Sequence, residues 1–331
     1  MMVIAEIGQA HDGSLGILHS YIDAVATTGV NAVKFQTHIA AAESSELEPF
    51  RVPFSYVDST RFDYWRRMEF TQSQWREIKR HCEDVGLEFI STPFSMEAVR
   101  LLEMLDVKRY KVGSGDTRNL PLIEMIARTG KEILLSSGMS AYADLDAAVD
   151  FLRPFGNRLT IMQCTSEYPV SPAAVGLNVI GELRGRYMLP VGFSDHTGSV
   201  YAGLAAAALG AEVIEAHVTF DKRMFGPDSK ASLTIAEFSM LVEGVRCIEK
   251  MLVAPVDKND TARYQDLRTM FGRSLAVNRD AKKGESLSLA DLETKKPAGA
   301  GIPAERYREF LGRKLTSDLD RWTFLQEDHF E

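Results

Sequence analysis

Eight short apolar runs, each followed by an amphipathic stretch of helical period, constrain the fold of this chain more than any other feature. The runs fall at residues 3–8, 31–37, 87–94, 108–115, 132–138, 159–166, 189–195 and 211–217. They are rich in β-branched residues and close to continuous, as strands covered on both faces must be. Between them lie segments such as TQSQWREIKRHCEDVG, SMEAVRLLEMLD and ADLDAAVDFLRPFG. Eight strand–helix units over about 250 residues have the length and rhythm of a (β/α)8 TIM barrel. An open doubly wound sheet would alternate in the same way, but eight regular units favour closure. The expected architecture is therefore α/β, with residues 1–253 as a barrel.

After a helix at 234–252 the pattern changes. Residues 254–271 are polar and read as a linker with some helix, and 272–331 as a small module of short strands around a Lys-Lys-Gly turn. Such a module is small enough that docking on another surface would stabilise it. The 331 residues are 45% hydrophobic and 25% charged, with a formal net charge of −8. That balance argues against nucleic-acid or membrane-surface binding, yet a local lysine cluster can still hold an anion. Three scattered cysteines, Cys82, Cys164 and Cys247, suit a reducing compartment. No apolar run approaches membrane-spanning length, and no secretory leader is recognisable, so a cytoplasmic location is expected. Cys82 reads as helix core, and Cys164 is not expected to reach a functional site.

The ends of the strand-like runs are polar where burial would prefer apolar residues. Glu6, Lys34, Gln36, Thr92, Lys111, Ser114, Ser136, Ser166, Ser194, His196, Glu215 and His217 all fall there. In a parallel barrel these ends share one mouth. Lys34 and Lys111 can neutralise a phosphate or carboxylate, with the hydroxyls and Gly113, Gly115 and Gly138 offering close donors. Taken singly, Ser114-Gly-Asp and Ser136-Ser-Gly are tight turns. His196 and His217, twenty-one positions apart, each close an apolar run and can share a divalent cation. Two imidazoles leave positions open for water, a carboxylate or a substrate, which suits Lewis-acid chemistry.

The motifs AEIGQAHDG (5–13), VKFQT (33–37), ISTPF (90–94), YKVGSGD (110–116), LLSSGM (134–139), CTSEYP (164–169), FSDHT (193–197), EAHVTFD (215–221) and GPD (226–228) occur in order. Together they resemble the sialic acid (nonulosonic acid) synthases. The tail RSLAVNRDAKKGESLSLADLETKKP resembles the antifreeze-like (SAF) domain that ends those enzymes. The resemblance implies condensation of phosphoenolpyruvate with an N-acylated amino-sugar aldehyde such as N-acetylmannosamine. It places Mn2+ or Mg2+ on His196 and His217. Phosphoenolpyruvate is placed on Lys34, Thr92, Lys111, Ser114, Ser136, Ser166 and Ser194, and the amino sugar near Glu6, Gln36, Tyr168 and Asp228. Glu6 or Asp228 would move protons, and Glu215 would orient His217. For the tail it implies a domain-swapped homodimer in which Lys296 reaches the sugar of the partner's site; a plain dimerisation module is the simpler reading of the tail.

Several positions depart from the family pattern. Ala10 stands where an asparagine is usual, and Ser166 where N-acetylneuraminate synthases carry asparagine. Lys296 and Ala298 replace an arginine and a glycine, so a charge is kept but its bidentate fork is lost. Residues 38–70, a long polar connection, are either a surface excursion or a substrate-covering flap. A related synthase of shorter 2-keto sugar acids would lack the tail. A metal-dependent hydrolase would need more histidines, and a silent sugar-binding protein would not need the intact set Lys34, Lys111, His196 and His217.

Overall fold

The computed structural model describes residues 1–52 and 54–331. Eight strands form the barrel: β1 (Met2–Glu6), β2 (Ala32–Thr37), β3 (Glu88–Pro93), β4 (Arg109–Val112), β5 (Glu132–Ser136), β6 (Leu159–Cys164), β7 (Val191–Asp195) and β8 (Val213–Thr219). Each pairs in parallel with the next, and β1 pairs with β8 to close the ring. Helices cover the outside. The helix Gln72–Asp84 shows why they form where they do: Thr71 and Gln74 cap each other reciprocally, and Trp75, Ile78 and Cys82 turn one face to the core.

Side chains alternate in and out along each strand, which sorts the barrel interior into layers. Ile4, Ala32, Ile90, Leu134, Met162 and Val213 make a buried apolar layer. Two residues earlier on β3 and β5 stand Glu88 and Glu132, joined by Arg109 of β4 at 2.6 and 3.0 Å. Two residues later stand Glu6, Lys34, Thr92, Ser136, Cys164 and Glu215, all of them buried. The apolar layer thus separates two polar ones, and the upper opens at the strands' carboxyl ends.

Strand boundaries differ from the sequence expectation at two places that matter. β4 ends at Val112, and Ser114–Asp116 turn into a 3-10 helix. β8 runs on to Thr219, because Val218 and Thr219 find a partner in a short strand, Leu233–Thr234. His217 therefore lies inside its strand, while His196 follows directly after β7. The connection 38–70 contains two helices, Ala40–Glu43 and Arg61–Met68, and its own apolar cluster around Tyr64, Trp65 and Met68.

The chain divides into two compact units, Met1–Ala254 and Pro255–Glu331. The segment expected to be a linker groups with the second unit and carries a helix, Gln265–Phe271. In that unit a strand Ser274–Val277 pairs antiparallel with Leu292–Lys295. Leu275, Val277, Leu287, Phe310, Leu315 and Leu325 form its core. Among the described residues no helix is long and apolar enough to cross a membrane.

Candidate active site

The carboxyl ends of the strands open into a cavity of 430 Å3, lined by barrel residues and by the 38–70 connection. Strand register explains its inner charges. Glu6 is the direct partner of Lys34 on β2 and of His217 on β8, so one carboxylate sits between a lysine and an imidazole. Lys34 Nζ is 2.9 Å from Glu6 Oε2, and His217 Nε2 is 3.4 Å from the same oxygen. Gln36 donates to Glu6 Oε1 at 2.6 Å. Across the barrel, Glu215 Oε1 accepts from Lys111 Nζ at 2.8 Å and from Ser194 Oγ at 3.0 Å, with Lys34 Nζ at 3.5 Å. Glu215 consequently positions the lysines and does not orient His217 as expected. It lies one step deeper on β8, and the carboxylate beside His217 is Glu6.

These contacts decide the charge states. Burial alone would favour neutral acids, but His217, Lys34 and Lys111 together with the Gln36 hydrogen bond hold the Glu6 carboxyl far below its ordinary range. Glu215 is likewise lowered: burial opposes ionisation, and Lys111 and Lys34 overcome it. Lys111 is raised, because Glu215 and Glu6 outweigh the cost of burying the ammonium. His217 is lowered, chiefly by burial, so its ring stays neutral.

Around the lysines stand hydroxyls. Lys34 Nζ reaches Thr92 Oγ1 at 3.4 Å, and the Ser114 and Ser136 hydroxyls are 2.8 Å apart. Two buried oxygens, Ser166 Oγ and Glu215 Oε2, have no partner among the described residues. A β-carbon at Gly138 would collide with the hydroxyls of Ser166 and Ser114, so glycine there keeps room for both. An unpaired buried hydroxyl costs free energy, which a ligand's acceptor would recover.

The imidazole rings of His196 and His217 lie 5.4 Å apart. His196 Nδ1 donates to the carbonyl of Thr165 at 2.9 Å, which leaves Nε2 as the ring's free position. Among the described residues no third histidine, cysteine or acid completes a metal-holding group with them. The free Nε2 of His196 and the neighbouring ring of His217 could supply two ligands to a divalent cation, the rest coming from water or substrate. The Tyr168 ring lies tilted against His196 at 4.1 Å, and Arg51 covers Tyr168 at 4.3 Å while pairing with Asp228 at 3.0 Å.

Residues 21–256 match the NeuB family. The chain belongs to that family. The N,N'-diacetyllegionaminic acid synthase of Campylobacter jejuni is 35% identical over 332 residues, covering 98% of this chain and 99% of the relative. Human N-acetylneuraminate-9-phosphate synthase is 32% identical over 337 residues, covering 98% of this chain and 91% of the relative. A solved sialic acid synthetase from Leptospira borgpetersenii superposes with a TM-score of 0.71 at 26% identity, over 81% of this chain and 90% of its own.

All the barrel residues expected at the site of this NeuB-family chain line the same cavity, Asp228 and Tyr168 included. Lys296 belongs to the second unit, where its ammonium stands 4.8 Å over the Phe271 ring. Cys164, which was not expected at the site, lines the cavity with Sγ 3.7 Å from Ser114 Oγ and 3.8 Å from His196 Nδ1. The alternation that buries Met162 in the apolar layer turns Cys164 the same way. Burial opposes ionising either group, yet each favours the other's charge, bringing the thiol down to about 7 and the imidazole up to about 9. Sequence reading also missed the contributions of the 38–70 connection: Glu43, Glu48, Arg51, Arg61, Tyr64 and Trp65 all face the cavity. His38 anchors that connection, stacked between Trp65 at 4.1 Å and Phe94 at 4.8 Å and bonded to Glu43 at 2.7 Å.

Proposed function

We propose that this chain joins phosphoenolpyruvate to an N-acylated amino-sugar aldehyde of the N-acetylmannosamine type, giving a nonulosonic acid and phosphate. One observation carries the reading: two buried lysines, Lys34 and Lys111, stand with the carboxylates of Glu6 and Glu215 on the floor of a cavity whose lining includes the unpartnered hydroxyl of Ser166. That floor suits a small multivalent anion, and the relatives are named as synthases of legionaminic and neuraminic-type acids.

In this reading Lys34 and Lys111 hold the phosphate oxygens, with Thr92, Ser114, Ser136, Ser166 and Ser194 as short donors. C3 of phosphoenolpyruvate bonds to the aldehyde carbon, and the aldehyde oxygen takes a proton. Water adds at C2; the C2–O bond to phosphate then breaks, leaving the keto group and inorganic phosphate. Glu6, held ionised, accepts a proton from that water, and Gln36 fixes its orientation. Asp228, at the rim, and Tyr168 contact the sugar. A divalent cation, Mn2+ or Mg2+, held by His196 and His217 would polarise the aldehyde carbonyl.

Residues 272–331 act as the antifreeze-like module of a cytoplasmic, domain-swapped homodimer, in which Lys296 contacts the sugar of the partner's site. Phosphate release from phosphoenolpyruvate tests the reaction, with and without Mn2+, across a panel of N-acylated hexosamines. Aldehyde-dependent release is expected, and bound metal with no release from any aldehyde defeats the proposal. Cross-linking and light scattering test the dimer, where a monomer at micromolar concentration would argue against it.

A further inference from the structure

Gln9, in the turn that follows β1, is buried and also lines the active-site cavity. Its side-chain nitrogen meets Gln36 Oε1 in a short hydrogen bond and His38 Nε2 at 3.3 Å. Beyond Gln36 stands Glu6, which accepts from Gln36 Nε2 at 2.6 Å. Beyond His38 stands Glu43, whose Oε1 is 2.7 Å from His38 Nδ1. Five side chains thus run in one line from β1 to the helix Ala40–Glu43 of the 38–70 connection. The direction of every bond in that line is forced. Glu6 is paired with Lys34 at 2.9 Å and can only accept, so Gln36 turns its NH2 towards it. The Gln36 carbonyl then faces Gln9, which answers with its own NH2. The second hydrogen of that NH2 meets His38 Nε2, so Nε2 accepts and the ring proton sits on Nδ1, aimed at Glu43. Stacking between Trp65 and Phe94 holds the ring plane in which both nitrogens reach their partners. Gln9 is therefore a double donor between two arms that each end on a carboxylate.

We propose that Gln9 is a positioning residue: with His38 held as the Nδ1–H tautomer, it fixes the Gln36 amide and through it the Glu6 carboxylate, tying that carboxylate to the 38–70 connection. The inference rests on the condensation reading above, in which Glu6 accepts a proton from the attacking water. Both hydrogens of the Gln9 amide are used within the line, so its loss should appear in kcat and not in the KM of phosphoenolpyruvate. A carboxylate at position 9 would face the Gln36 carbonyl and the lone pair of His38 Nε2. To satisfy it, Gln36 would have to turn over and set its carbonyl against Glu6.

The test uses the full-length protein with Mg2+, and aldehyde-dependent phosphate release gives kcat for the parent, Gln9→Glu and Gln9→Met. Reversing the polarity in Gln9→Glu should lower kcat at least about tenfold, part of what an oriented base contributes, with the KM of phosphoenolpyruvate within about threefold. Gln9→Met, similar in shape but without a donor, should lower kcat about threefold. A Gln9→Glu kcat within about twofold of the parent overturns the inference. So does an equal loss in both variants, which would put packing, not bond direction, at the cause. Independently of turnover, 15N nuclear magnetic resonance of the histidine rings near neutral pH, with His38→Gln to assign the signals, should show hydrogen on Nδ1 of His38 alone. Hydrogen on Nε2 overturns the inference whatever the kinetics. If no aldehyde releases phosphate, the condensation reading fails, while an Nδ1–H ring leaves the ordered line standing.

Discussion

The barrel interior holds two ionic clusters, a half-buried one below the apolar layer and a buried one above, and they differ in how completely they are satisfied. Below, Arg109 places its guanidinium between Glu88 and Glu132, and none of the three has an unpartnered buried atom. Above, Lys34 and Lys111 share Glu6 and Glu215, while Glu215 Oε2 and Ser166 Oγ are buried with nothing to bond among the described residues. A network whose polar atoms are all paired carries no unmet hydrogen-bonding cost; an open one costs stability and persists where a ligand completes it. The same alternation of side chains builds both, so the difference lies in what each layer leaves unpaired.

Removing one cation from each layer should break that comparison in opposite directions. Lys111→Met is expected to lower kcat/KM by about 10³ or more, since an electrostatic donor to the transferring phosphate is lost. Far-ultraviolet dichroism of the variant should match the parent, because Lys34 remains beside Glu215. A loss below tenfold would remove Lys111 from the phosphate site. His217→Ala should reduce turnover by about 10²–10³ and abolish its response to added Mn2+, with phosphoenolpyruvate binding retained. Turnover that survives chelation in the parent would remove the metal from the scheme.

Arg109→Met should do the reverse. Breaking a fully buried pair costs about 3–5 kcal/mol, and about 2–3 kcal/mol is expected here because Arg109 keeps some exposure. Urea unfolding reads that loss, while kcat/KM per folded molecule should stay within about threefold, since Arg109 does not line the active-site cavity. A variant as stable as the parent but catalytically impaired would mean that the lower layer is coupled to the site.

The upper layer was largely legible in the sequence, because packing alone would put apolar residues at the ends of apolar runs, and lysines and serines there mark a polar mouth. Lys34, Lys111 and the strand-end serines could be placed without knowing the register. The partners of those residues could not. Lys111 and Glu215 are 104 positions apart and meet across the barrel, which no local pattern encodes. Glu6 beside His217 depends on β1 closing against β8, a consequence of closure that becomes readable once the barrel is granted. Cys164 was within reach of the same reasoning, since Met162 and Cys164 share a strand face. The extension of β8 to Thr219 was not, because its partner strand is two residues long. Least legible was the 38–70 connection, whose Glu48 and Arg51 come from irregular backbone and whose Arg61 opens a short helix, so nothing in the sequence says which way they point.

His11 sharpens the comparison on a smaller scale, as a buried polar group that is satisfied only while neutral. It is 2% exposed, its Nδ1 accepts from the Gly13 amide at 3.0 Å, and its ring lies 5.0 Å from Phe70. Burial, then the charges of His38 and Arg67, pull its pKa down to about 3. An unfolded imidazole titrates near about 6.5, so below that pH the unfolded chain binds a proton the folded one refuses. The contribution of His11 to stability is therefore complete above about pH 6.5 and declines as pH falls toward its folded value. The slope approaches about 1.4 kcal/mol per pH unit. Between about pH 6.5 and 5 the parent should lose about 2 kcal/mol more than His11→Gln, measured by urea unfolding at each pH, with other titrating groups common to both. Parallel curves for the two proteins would mean that His11 accepts its proton in the folded state, and with it that the Gly13 amide has lost its acceptor.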